Sequence, residues 1–224
     1  MYRLHIANKN YSSWSLRPWV LLKVQDIDFE ESLHPFSADN RKLFRSFSPT
    51  GKVPCLQHEG RAIWDSLAII EYLAERHQGV WPENIDARAW ARSASAEMHS
   101  GFTALRNECP MNCALRISKK QLSQPLQSDL ARLEELWQEG LTRFGGPYLA
   151  GPSFTAVDAF FAPVAIRIQT YGLPLSNSAR AYAGRLLQLE AMGNWQAQAL
   201  AEPWREESHE QESRQSGEVL QDLR

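Results

Sequence analysis

The stretch Ser48-Pro49-Thr50-Gly51-Lys52-Val53-Pro54-Cys55-Leu56, continued after a polar gap by Ile63-Trp64-Asp65-Ser66-Leu67-Ala68-Ile69-Ile70, decides the fold. Pro54 stands at the start of an apolar run, where a proline has no N–H to give a central strand. A cis Val53–Pro54 bond resolves the conflict, because X–Pro bonds adopt cis at a cost of only about 0.5–1 kcal/mol. It leaves the Val53 N–H and C=O facing outward, ready to pair with an extended peptide. His58-Glu59-Gly60-Arg61 reads as a hairpin turn. Asp65-Ser66 then opens a helix whose free N–H groups attract a carboxylate. The expected product is a cleft that reads a short peptide's backbone and one of its carboxylates.

Working outward, Arg3 to Ala7 alternates polar and apolar as a first strand, and Leu16 to Lys23 reads as a helix after the Asn8-Lys9-Asn10 break. Asp28 to Leu33 alternates again, and Asp39 to Phe47 is a charged, weak helix. Pro54–Leu56 and Ala62–Ile63 give two more strands, and Ser66 to His77 a third helix with Leu67, Ile70, Leu73 and Ala74 inward. Residues 1–78 therefore read βαβαββα, an α/β domain. Residues 79–85 form a linker. Beyond it no strand pattern is seen, and residues 86–201 read as an all-helical domain. Trp90, Ala94, Met98, Phe102, Leu105 and Cys109 mark one helix face, and Leu126, Leu130, Leu133, Trp137, Leu141 and Phe144 a second. Thr155 to about Tyr171 is apolar nearly all round, a buried central helix. Thr155 and Asp158 are spaced as its capping box, with Asp in place of Glu or Gln, which gives Asp158 a structural role. Ala179, Tyr182, Leu186 and Leu189 mark a fourth helix. The charged residues 202–224 are expected to be a disordered tail.

Taken together, Val53-Pro54 followed by Asp65-Ser66, and Thr155 with Asp158 on a central helix, resemble the cytosolic glutathione transferase family over about residues 3 to 200. The resemblance implies a thioredoxin-like, glutathione-binding N-terminal domain and an all-α C-terminal domain. The family carries Glu/Gln-Ser where this chain has Asp65-Ser66, an acid one methylene shorter. The resemblance implies glutathione contacts from Lys52, Val53, Pro54, Asp65 and Ser66, with Arg41 and Lys42 as further sources of charge near Lys52. Lys52 reads equally as a solvated turn residue.

The loop after the first strand, Tyr11-Ser12-Ser13-Trp14-Ser15-Leu16-Arg17, is where thioredoxin-like folds place the active group. A thiol near pKa 8.5 must ionise to be a nucleophile. A hydroxyl donating to the sulfur, with a helix end behind it, favours the anion. Lowering that pKa by two units takes about 2.7 kcal/mol. Locally, Ser12, Ser13 and Ser15 read equally as N-cap residues. The stretch is similar to the Ser-Ser-Cys-Ser-x-Arg motif of the zeta class, with Trp14 where that class has Cys. The match implies Ser12 as the activating residue, with Ser13 second. Tyr11 competes, since other classes use a tyrosine nearby. Arg17 is assigned to holding the first helix. Trp14, Phe102, Arg106 and Met111 are expected to wall the second-substrate pocket. The zeta-class arginine near the end of the central helix falls on Thr170 here, with Arg167 one turn earlier. With Trp14 for Cys, that counts against a maleylacetoacetate isomerase.

Composition narrows the function classes. The chain has 224 residues and a formal charge of −2, so no basic field points to nucleic acid or an anionic membrane. No apolar run spans a bilayer. Cys55, Cys109 and Cys113 form no paired set, which suits reduced thiols in a cytoplasm and gives no metal cluster. The expected function is a glutathione transferase adding the thiolate to a small electrophile by conjugation, substitution or peroxide reduction. The alternatives are an isomerase of the maleylacetoacetate type and a non-catalytic binding protein. By family resemblance, glutathione is the co-substrate and the protein is a homodimer.

Overall fold

The computed structural model describes residues 1–37 and 39–224. Four strands form the first sheet: β1 (Tyr2–Ile6), β2 (Phe29–Leu33), β3 (Cys55–His58) and β4 (Arg61–Trp64), in the order β2-β1-β3-β4. β1 runs parallel to β2 and antiparallel to β3, and β3 and β4 form a hairpin. The parallel pair needs a crossover, which is helix α1 (Ser13–Val24). Alternation along β1 sorts its side chains. Leu4 and Ile6 enter the large core, whereas Ala7 joins a small second core with Phe44, Phe47 and Cys55. Phe44 lies on α2 (Asn40–Arg45). The Val53–Pro54 bond is cis, and the β3 ladder begins only at Cys55. The β3–β4 turn is made by Glu59 and Gly60, both at positive φ (49° and 76°). α3 (Ser66–Ala74) completes the expected βαβαββα order.

The second half is helical around α7 (Ala156–Tyr171), which is buried almost throughout. Asp158 accepts hydrogen bonds from the Thr155 and Leu149 N–H groups at 2.9 and 3.0 Å and from the Tyr182 hydroxyl at 2.8 Å. Every strong donor around it is thus spent on holding α7 and its neighbours. The other helices of this half are α4 (Ile85–Ser100), α5 (Thr103–Glu108), α6 (Gln124–Arg143), α8 (Asn177–Leu187) and α9 (Glu190–Ala201), with α6 meeting α7 through Trp137 and Phe161, α8 packing on α7, and α9 packing on α1 and α8. α1 and α4 pack directly on α7. α1 is therefore shared by both halves.

Three expectations are corrected. The helix face from Trp90 to Cys109 is broken into α4 and α5, because Gly101 ends α4 and Phe102 takes a left-handed conformation at φ 52°. A strand does occur in the helical half, β5 (Leu115–Ser118). The region 202–224, expected to be disordered, forms α10 (Glu207–Gln215) and β6 (Glu218–Asp222), and β6 pairs antiparallel with β5. Although most of its charged residues are exposed, several pair with one another. Arg224 grips Glu210 through two contacts of 2.6 and 2.8 Å and also bonds Asp222. Composition reads a charge-rich segment as solvated, but here opposite charges close on one another. Among the described residues no helix is long and apolar enough to cross a membrane.

Candidate active site

Two cavities meet at the N-terminus of α1. The smaller, about 440 Å³, is lined by Trp14, Thr50, Lys52, Val53, Pro54, Trp64, Asp65 and Ser66. The larger, about 790 Å³, takes in Tyr11, Ser12, Ser13, Arg106, Met111 and Arg167. Trp14, Thr50, Lys52 and Val53 belong to both. The smaller cavity has the features expected of a peptide cleft: an unladdered backbone edge at Val53 and the tip of α3. Asp65 caps α3, accepting from the Leu67 N–H at 2.8 Å. Its backbone sits at φ 76°, ψ 135°, a conformation that costs a non-glycine residue about 1–3 kcal/mol and that gathers at functional sites. Ser66 is fully buried and accepts a hydrogen bond from Arg17 at 3.5 Å. Lys52 is exposed at the junction of the cavities, while Arg41 lines only the larger one.

The hydroxyls at the mouth of α1 are all close to buried, and none caps the helix in the usual way. Ser12 stands at the N-cap, yet its Oγ donates to Ser15 Oγ at 2.7 Å rather than accepting from a backbone N–H. Tyr11 donates its phenol proton to Glu210 at 2.6 Å. Burial, reinforced by that carboxylate, raises the Tyr11 pKa. Ser13 accepts from Arg167 at 3.3 Å.

Positive charge surrounds these groups. Arg17 is 1% exposed, lies against the rings of Trp14 (4.1 Å) and Phe160 (4.9 Å), and leaves its Nε without a partner. Burial, followed by the neighbouring Arg167 and Arg106 charges, lowers its pKa to about 9. Burial likewise lowers Arg167 to about 10. Arg167 donates to the Cys109 carbonyl and to Ser13, and Arg106 to the His99 carbonyl. None of these acceptors is a carboxylate. An uncompensated buried cation costs on the order of several kcal/mol, and the Asp65 carboxylate offsets only part of that at Arg17.

Of the residues expected to wall the second-substrate pocket, Trp14, Arg106 and Met111 line the larger cavity. Phe102 does not. The left-handed turn between α4 and α5 carries it into the core, where it is 6% exposed. Sequence reasoning missed Phe36, Asn107 and His209 in the cavity wall, and gave Arg167 no role in it. His209 belongs to α10 and stacks on Tyr11 and Phe36, with ring centroids 5.1 and 4.9 Å apart. Nothing local in residues 202–224 signals that contact. The cysteines are remote from this chemistry. Burial raises Cys109 and Cys113 to about 12 and Cys55 to about 11.

Comparison with known proteins agrees with this geometry. Residues 11–76 match the family model of the glutathione S-transferase N-terminal domain, and residues 88–206 that of the C-terminal domain. A probable maleylacetoacetate isomerase from Caenorhabditis elegans is 30% identical over 175 residues, covering 74% of this chain and 78% of that protein. Glutathione S-transferase 1 of Dianthus caryophyllus is 27% identical over 184 residues, covering 78% and 81%. Among solved structures, a glutathione transferase homologue from Burkholderia GL BGR1, determined with bound glutathione, superposes with a TM-score of 0.66 at 22% identity, covering 88% of this chain and 97% of that one. With both domain models matched in order along one chain, and the thioredoxin-like and helical halves meeting at the hydroxyl-bearing end of α1, this protein belongs to the glutathione S-transferase family.

Proposed function

We propose that this enzyme binds glutathione in the smaller cavity and presents its sulfur, as thiolate, to a small electrophile held in the larger one. The tripeptide backbone pairs with Val53 beside Pro54. Its γ-glutamyl carboxylate meets Ser66 and the α3 N-terminus, with Asp65 capping that helix, and Lys52 takes the glycine carboxylate. A serine hydroxyl at the mouth of α1 donates to the sulfur, with the helix end behind it. Trp14, Arg106 and Met111 wall the electrophile. The observation that carries this reading is the continuity of the two cavities at Trp14, Lys52 and Val53, which puts the peptide cleft and the hydroxyls in one space. The protein is expected to be retained on immobilised glutathione and to form a thioether from an aryl halide. Retention without turnover of any electrophile would point to a binding role instead.

A second reading is glutathione-dependent cis–trans isomerisation of the maleylacetoacetate type. Arg167 in the larger cavity and the resemblance to the Caenorhabditis elegans protein favour it. Trp14 in place of a cysteine and Thr170 in place of an arginine weigh against it. Thr170 is buried and donates to the Asn112 carbonyl at 2.7 Å, away from any substrate role. Including that substrate in the screen separates the two readings. Three buried, unpaired thiols suit a reducing cytoplasm, and family analogy supports a homodimer.

A further inference from the structure

The hydroxyls at the mouth of α1 are not equivalent, because their present hydrogen bonds use different atoms. A hydroxyl has one proton and two lone pairs. Tyr11 has given its proton to Glu210, and Arg224 holds that carboxylate in turn. Ser12 has given its proton to Ser15. Among the described residues Ser13 is the one of the three that only accepts, taking a hydrogen bond from the Arg167 guanidinium, which leaves its proton to point into the larger cavity that it lines. Donation into Ser13 Oγ also polarises its O–H, which strengthens the next bond in the chain.

We propose that Arg167 on the buried helix α7 is a positioning residue that makes Ser13, rather than Ser12, the donor to the glutathione sulfur. The inference rests on the transferase reading of the site. In the step it governs, the glutathione S–H bond breaks, the proton leaves to water and the electron pair stays on sulfur. Ser13 then hydrogen-bonds the anion without losing its own proton. Arg167 is fixed for this task, because its Nε donates to the Cys109 carbonyl at 2.8 Å and the side chain is 4% exposed. The other charged or titratable groups around it are Arg17 on α1, Arg106 and Cys109 at α5, Tyr171 on α7, and Asp65 and His99 beyond Arg17. His209 approaches from α10. Burial raises Cys109 and Tyr171 to about 12, so both are neutral near pH 7. Arg41 and Lys52 line the same cavity, and of all these cations, among the described residues, only Arg167 hydrogen-bonds a hydroxyl of the Tyr11–Ser13 loop.

The test is a pH titration of the bound thiolate by its ultraviolet absorbance, on the full-length protein, with glutathione affinity measured in parallel by calorimetry. Ser13→Ala and Arg167→Met are each expected to raise the apparent thiol pKa by about one unit, a roughly tenfold loss of thiolate where the pKa lies above the working pH. Arg167→Lys should recover part of the shift, and Ser12→Ala should move the pKa less than Ser13→Ala. The double variant should match Ser13→Ala alone, because the two residues act through one hydrogen bond. A folded Ser13→Ala protein with an unmoved pKa overturns the inference, as do Ser13 and Arg167 shifts that simply add. If Arg167→Met does not fold, Ser13→Ala against Ser12→Ala, with Arg167→Lys, decides the matter. A wild-type protein that binds no glutathione would overturn the transferase reading as well. Wild-type protein that binds and ionises glutathione, with Ser13→Ala and Arg167→Met doing so equally well, overturns only this inference.

Discussion

Trp14 stands where the two cavities join, with its ring against Arg17 on one side and within 5.6 Å of the Arg106 guanidinium. Trp14→Ala removes a wall of the larger cavity, the proposed electrophile site, and a cation–π contact of about 0.5–2 kcal/mol. The expected outcome is an electrophile KM raised about tenfold, with the glutathione Kd changed by less than about threefold. Steady-state kinetics with each substrate varied in turn checks it. Ser66→Ala should act in the opposite sense. Loss of a hydrogen bond to a charged group, worth about 1.5 kcal/mol, weakens glutathione about tenfold and leaves the electrophile KM nearly unmoved. At this scale the local geometry was legible before the structure: the cis Val53–Pro54 bond, the Asp65 cap on α3 and the serines at the mouth of α1 all depend on near neighbours in the chain. The ranking of the loop hydroxyls was not. Tyr11 is hydrogen-bonded to Glu210 and Ser13 to Arg167, partners 199 and 154 residues away. The Ser12–Ser15 bond is local, but its spacing also fits an N-cap, and only coordinates tell the two apart.

Among the elements, α7 repeats its sequence reading from cap to final turn, because a run of apolar residues behind a capping box leaves one solution. Asp158→Ala strips an acceptor from the Thr155 and Leu149 N–H groups and the Tyr182 hydroxyl, all in the interior. A loss of about 3 kcal/mol is expected in denaturant titration, since each orphaned buried donor costs about 1–3 kcal/mol and relaxation recovers part of it. The last two elements, α10 and β6, escaped the sequence because neither has an apolar face. Their order comes from pairing with β5 and from ion pairs that close only in three dimensions. Burial alone would raise the Glu210 pKa, but hydrogen bonds from Arg224 and Tyr11 outweigh it and hold the carboxyl below its ordinary value. A hydrogen bond from Arg224 holds Asp222 down to about 2. Carboxyls depressed in this way stabilise docking above their free values, near 4 to 4.5, and the stabilisation is lost as pH falls through the depressed values. Between about pH 4 and pH 2, backbone NMR shifts of residues 207–222 are expected to move toward coil values before those of α7. Simultaneous loss of both would contradict this.

For the molecule as a whole, α1 is the element that joins the two halves. It belongs to the sheet by sequence and to the helical half by packing, so neither half is indifferent to the other. A homodimer is expected by light scattering, and a monomer at micromolar concentration would remove that part of the proposal. The two-domain outline was legible because the Val53-Pro54 and Thr155–Asp158 signatures each mark one half. How the halves share the site was not, since it depends on which side chains of α7 reach α1. Arg167 reaching Ser13 has an evolutionary corollary. On the proposed reading, recognition of the tripeptide belongs to the thioredoxin-like half, and the readiness of its sulfur to react is set partly from the helical half. Chimeras that exchange the helical half for a relative's, while keeping this chain's sheet, should inherit this chain's affinity and the donor's reactivity. Lineages of such enzymes could then diversify what they attack without relearning how to hold the weapon.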